Sequence, residues 1–143
     1  LHKEYRRQRQ MCIRDSELLV VVDWEMASIG DPLVDLCWML VFHPSSEGLM
    51  PLGTATEPRL DPSGVPTVAE ILARYAERSG RDLSAIDWYQ VFSRWKMAIV
   101  LEGSFAKFQK GLSDNPYHEY FGVQADRLLV SAVGMIDDVN EET

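Results

Sequence analysis

In the stretch "VVVDWEMASIGDPLVDL", Val20 to Leu36, the chain changes period once, from a strand to a helix. Leu18 to Val22 is a continuous apolar, largely β-branched run ended by Asp23, the pattern of a strand covered on both faces. Further on, Asp31 precedes Pro32. A short carboxylate there can accept a first-turn N–H, and proline has no N–H to waste at the first helical position. Leu33, Leu36, Cys37 and Leu40 then recur on one face, which predicts a helix from Pro32 to about Phe42.

The strand is expected to be alone. The comparable run "AIVL", Ala98–Leu101, lies inside a long helical pattern. An unpaired strand leaves its backbone donors and acceptors unsatisfied, so its partner is expected upstream, in sequence this chain does not have.

Beyond the first helix the chain stays helical and well punctuated. Residues 43–66 hold Pro44, Pro51, Pro58, Pro62 and Pro66 with Gly48, Gly53 and Gly64, a long loop. Thr67 with Glu70 spells a capping box, Val68, Ile71, Leu72 and Tyr75 supply a buried stripe, and Gly80 ends that helix. Ser84 with Asp87 is expected to open the next helix in the same way. Trp88, Val91, Phe92, Trp95 and Ile99 carry that helix toward Lys110, before Gly111. A last helix, about Pro116 to Val139, is expected to turn Leu128, Leu129, Ala132, Val133 and Ile136 inward. The aromatic stripe Trp88, Phe92, Trp95 is read as core, because a buried helix face already requires that spacing.

The charge is uneven. Net charge is −8, yet residues 1–16 carry Lys3, Arg6, Arg7, Arg9 and Arg14 against Glu4 and Asp15, a balance of +3 that leaves −11 to the rest. So acidic a body is a poor partner for nucleic acid. At 143 residues and 46% hydrophobic, the chain can bury a core. No apolar run approaches the roughly 18 residues that span a bilayer, and no secretory signal is written at the start. A cytoplasmic protein with no membrane and no nucleic-acid partner is expected. Cys12 and Cys37 form no ligand pattern or disulfide framework. Within the basic prefix, "MCIRDS", Met11–Ser16, is similar to the translation of a transposase adaptor end used in sequencing libraries. Residues 1–16 are therefore expected to be a non-native or disordered prefix, with the folded lobe at 17–143.

A carboxylate at a strand end suits a hard cation, and Mg²⁺ takes one or two protein carboxylates and fills its octahedron with phosphate oxygens and water. On these residues "VVVDWEMASIGDPLVDLCWML" resembles the metal-binding segment of the aminoglycoside phosphotransferase family, in the branch that writes it D-W-E-x-A-x-x-G-D-P-x-x-D-L. "RWKMAIVLEGSFAKFQKG" and "FGVQADRLLVSAVGMID" resemble the closing helices of the same branch. The resemblance implies a mainly α fold, the carboxy-terminal lobe of a protein-kinase-like α+β fold with one residual amino-terminal strand. It implies Mg²⁺ and ATP, or another nucleoside triphosphate, as cofactors and a small-molecule hydroxyl as acceptor. Asp23 would then hold the Mg²⁺ that bridges nucleotide phosphates. Asp35 would be a structural anchor, Asp31 the helix cap, and Glu102 and Glu119 would face a cationic substrate.

The same comparison shows what is missing. The family's catalytic loop is written His-Gly-Asp with a later Asn, and none of His2, His43 or His118 sits in one. No glycine-rich phosphate loop precedes a strand lysine. The expectation is a fragment of a phosphotransferase, without catalysis of its own. A competing expectation, from another class, is a non-enzymatic helical module that binds a partner through exposed apolar faces. Trp24 is expected to pack, Glu25 to be solvated or loop-bonded, and His43 to be a loop histidine, not a ligand; His118 has no partner at ligand spacing.

Overall fold

Four helices make up most of the described residues, and each starts or stops where local chemistry dictates. The structure, a computed structural model, describes residues 11–14, 17–21, 29–44 and 64–141. Helix α1 runs Pro32–Val41, α2 Val68–Ser79, α3 Ile86–Gln109 and α4 Tyr117–Glu141, after two short strands, β1 Met11–Arg14 and β2 Glu17–Val21. The mainly α expectation holds. The chain divides into two units, Leu1–Gly30 and Asp31–Thr143.

In the first unit β2 is paired, which corrects the expectation of a lone strand. β1, inside the segment read as an adaptor-like prefix, lies antiparallel to it in the register Met11 to Val21 and Arg14 to Glu17, with an irregularity between Cys12 and Ile13. Strands this close in sequence meet at little loop-closure cost. A pattern search for long apolar runs passes over a four-residue strand with an arginine in it.

In the second unit, α1 begins as its sequence requires. Asp31 is extended, its carboxylate accepts the Leu33 N–H at 2.9 Å, and Pro32 follows. α2 has both halves of the capping box: the Glu70 N–H donates to Thr67 Oγ1 at 3.2 Å, and the Thr67 N–H donates to Glu70 Oε2 at 2.7 Å. Gly80 closes α2 at φ 66°, a left-handed position that a Cβ would strain.

The start of α3 differs from expectation. Ala85 is its cap residue, and no side chain caps it. The Asp82 carboxylate instead takes the Ser84 N–H at 2.9 Å and the Ser84 hydroxyl at 2.8 Å. A nearer acceptor thus wins Ser84 before it can serve the helix. α3 ends at Gln109 with Lys110 as its cap residue, ahead of Gly111, within a residue of the expected end. α4 starts at Tyr117, whose N–H donates to Asn115 Oδ1 at 3.1 Å.

α1 sits between two apolar clusters. Leu33, Leu36 and Leu40 pack against Val68, Ile71, Leu72 and Tyr75 of α2, and against Ile86 and Tyr89 of α3. Val41 joins Met97, Ala98 and Leu101 of α3 and Ala125 and Leu128 of α4. Where α3 and α4 approach, a Cβ on Gly122 would come within 2.9 Å of the Phe105 ring, so glycine lets that ring lie against the α4 backbone.

Candidate functional site

The amino-terminal end of α1 carries two carboxylates of the sequence motif. Asp31 bonds Leu33 as a cap and also accepts the Tyr89 hydroxyl of α3 at 2.9 Å. The Leu33 bond, then the Tyr89 bond, hold its carboxyl below the usual range, and the same bond raises the Tyr89 phenol. A depressed carboxylate contributes stability above its unfolded pKa and loses it as pH falls through the folded one. Asp31 is therefore a structural residue that ties α1 to α3, in agreement with the cap reading.

Asp35 is exposed one turn later, and no described residue bonds it. It lines a groove of about 820 Å³ between α1 and α2, with Leu36 and Met39 on its own helix and Ile71, Arg74 and Arg78 opposite. Glu102 on α3 and Glu119 on α4 are both exposed. Asp23, with Trp24 and Glu25, lies outside the described residues, as does most of the proline-rich loop. His43 Nε2 lies 2.8 Å from the Pro66 carbonyl, joining the two ends of that loop. His118 Nδ1 lies 2.9 Å from Ser113 Oγ. Among the described residues no group of three or more His, Cys, Asp or Glu side chains could hold a metal ion. None of their helices is long and apolar enough to cross a membrane.

The interior holds polar groups that the sequence reading did not single out. Arg94 is 8% exposed; its Nε donates to Ser131 Oγ at 3.1 Å and its Nη1 to the Gln90 carbonyl at 3.2 Å. Helical spacing from Arg94 to Ala98 and Leu101 puts it on the buried face. That spacing was the available signal. Ser93, beside it, is fully buried, and its hydroxyl has no partner among the described residues. Cys37 is buried too, its thiol facing the Ile86 carbonyl at 3.9 Å.

Burial pushes the Cys37 thiol up to about 11, against the pull of Arg94. A thiol held neutral is a poor nucleophile. We expect Cys37 to resist iodoacetamide at pH 8 in the folded protein and to react after denaturation, read by mass mapping; rapid labelling of folded Cys37 would contradict its burial. The folded pKa lies above the ordinary value of 9.0, so stability from this group is complete below about pH 9 and declines between there and about pH 11.

The aromatic stripe is corrected outright. Trp88 is 61% exposed and Trp95 49%, not core. Trp88 stacks on Phe92 with centroids 5.2 Å apart, and Phe92 leans on Trp95 at 5.9 Å. On α4 the inward expectation holds for Leu128 and Ala132 and fails for Leu129, Val133 and Ile136, which are exposed. Together these side chains line an apolar groove of about 280 Å³ between α3 and α4. A helical apolar stripe says that a face avoids water, without saying that this chain covers it.

With the geometry in place, comparison with known proteins corrects the family expectation. No family model matches the chain, and no solved structure does. Among curated proteins, the chain is 28% identical over 102 residues to acyl-CoA dehydrogenase family member 11 of Pongo abelii, a match covering 68% of this chain and 13% of that protein. The human protein of that name is 26% identical over the same span and share. Acyl-CoA dehydrogenase family member 10 of Mus musculus is 27% identical over 99 residues, 67% of this chain and 9% of that one. The chain thus spans about an eighth or less of the curated relatives it matches. Assignment to the aminoglycoside phosphotransferase family does not stand: these relatives bear another name, and no model of any family matches. The physical reason is that a strand-end aspartate before a capped helix is a local solution, which a short motif can share without the surrounding chain.

Proposed function

We propose that this chain is a piece of a cytoplasmic, nucleotide- and Mg²⁺-dependent phosphotransferase acting on a hydroxyl of a small molecule, and that it is inactive without further parts. What supports the reading is the seating of Asp31. Its carboxylate is taken up by Leu33 and Tyr89, which leaves Asp31 to capping; of the motif's other carboxylates we assign the cation role to Asp23, at the end of the apolar run. The described residues do not by themselves fit a metal ion. When bound, Mg²⁺ would neutralise charge on the transferred phosphoryl group, a task that needs phosphate oxygens as well as protein carboxylates. Asp35, solvated beside Asp31, would keep the α1 end acidic. The sequence supplies no His-Gly-Asp loop whose aspartate would orient the acceptor hydroxyl and take its proton.

The purified 143-residue chain is expected to transfer no phosphate from ATP to any of a panel of hydroxyl compounds in the presence of Mg²⁺. Nucleotide-dependent phosphorylation by the chain alone would overturn the inactivity. Mg²⁺ binding followed by NMR is expected to be weak and to weaken further in Asp23→Asn; an unchanged titration would remove Asp23 from the proposal.

A second reading, a helical interaction module without catalysis, draws on a different observation: the exposed apolar groove between α3 and α4.

A further inference from the structure

We propose that the α3/α4 groove pairs two copies of this chain face to face, closing two helix hairpins into a four-helix bundle. The inference rests on the interaction reading and names its partner.

The spacing is the first support. On α3, Trp88, Phe92, Trp95 and Ile99 fall four, three and four residues apart, and on α4 Leu129, Val133 and Ile136 fall four and three apart. That alternation keeps a seam straight along a partner helix, with each side chain entering a space between four others. Two helices that share such a face are half of a bundle, and the matching half is another hairpin of the same kind.

Area is the second. Trp88 and Trp95 are 61% and 49% exposed, Leu129 42%, Val133 57% and Ile136 46%. Against the surface that such side chains bury when covered, this leaves on the order of 500 Å² of apolar area per chain. A stable pairing covers about 800 Å² per partner, about two-thirds of it apolar in a homodimer, or about 520 Å². One groove meets the apolar requirement of one side.

Charge is the third, and it permits a second copy. In a twofold interface, residues near the axis meet their own copies, so a charged lining would set like charges together. All the residues lining this groove are apolar. A chain of net charge −8 can therefore self-pair here while its charges stay at the rim, where salt screens them.

Sedimentation equilibrium of the full chain, from micromolar to submillimolar concentration, tests this. The expected result is a reversible species of twice 16.3 kDa, strengthened by added salt. Trp95→Glu with Val133→Glu is expected to raise the dimer dissociation constant at least about thirtyfold, the scale of a lost central anchor. Leu112→Glu, an equally greasy site off this face, should leave it unchanged. Circular dichroism checks that the groove variant keeps its helices; if it does not, Trp88→Ser, at a still more exposed position, replaces it with the same expected loss of dimer. A wild-type chain that stays monomeric throughout overturns the second copy as occupant and leaves the interaction reading to another partner. A dimer that persists undiminished in a folded groove variant overturns both.

Discussion

Leu128→Ala is expected to lower the stability of the helical unit by about 3 to 4 kcal/mol, a large part of what holds a domain of this size together. Leu128 is fully buried, enclosed with Val41 of α1 and with Met97, Ala98 and Leu101 of α3. Truncation removes its transfer energy and leaves a cavity that three different helices must deform to fill. The next residue provides the contrast. Leu129, 42% exposed on the groove face, should cost less than about 1 kcal/mol when changed to Ala. Urea melts of the two variants decide the matter, and equal losses would mean that α4 packs through another face.

Arg94→Ala should be the next most damaging single change, at about 2 to 3 kcal/mol. The guanidinium donates to Ser131 of α4 and to the Gln90 carbonyl of α3, so its loss strips two half-buried acceptors of a charged donor. It also removes the aliphatic stem that fills the space between the helices. Arg94→Met restores volume without charge and is expected to recover part of the loss. Arg94→Lys keeps charge but lacks the planar fork that reaches two acceptors, and should fall between. The Cys37 thiol should titrate higher still in Arg94→Met, since Arg94 is the group that pulls it down. An Arg94→Met protein as stable as wild type, with Cys37 unmoved, would show the arginine to be a bystander.

Much of the fold was readable residue by residue. Asp31 before Pro32, Thr67 with Glu70, and the glycines at 80 and 111 each act within a turn of their own backbone, so their meaning needs no knowledge of the rest of the chain. The same locality explains the miss at α3. Ser84 with Asp87 had the right spacing, yet Asp82 stood nearer and took both the N–H and the hydroxyl of Ser84. The pairing of β2 with Met11–Arg14 was missed because a strand's partner is chosen by loop closure and backbone bonding, which leave little trace in a short polar segment.

For the candidate site, Asp31 was legible as a cap, and its second bond, to Tyr89 across 58 residues, was not. Asp35, Glu102 and Glu119 all stand exposed, so their position on helices could be read while nothing in their surroundings assigns them work. The apolar stripes of α3 and α4 were visible as stripes. Which of their residues meet protein and which meet water depends on the rotation of α4 about α3, chosen by how Ala125 and Leu128 fit against Met97, Ala98 and Leu101. Hydrophobic period marks a face, and close packing of unlike side chains picks the part of it that is covered. Caps and periods are short-range and written in order along the chain, so the helices and their ends follow from the residues read one turn at a time. The burial of Arg94, the raised thiol of Cys37 and the open groove at Trp88 and Trp95 arise from residues distant in sequence meeting in space, and only the packed helices select those meetings.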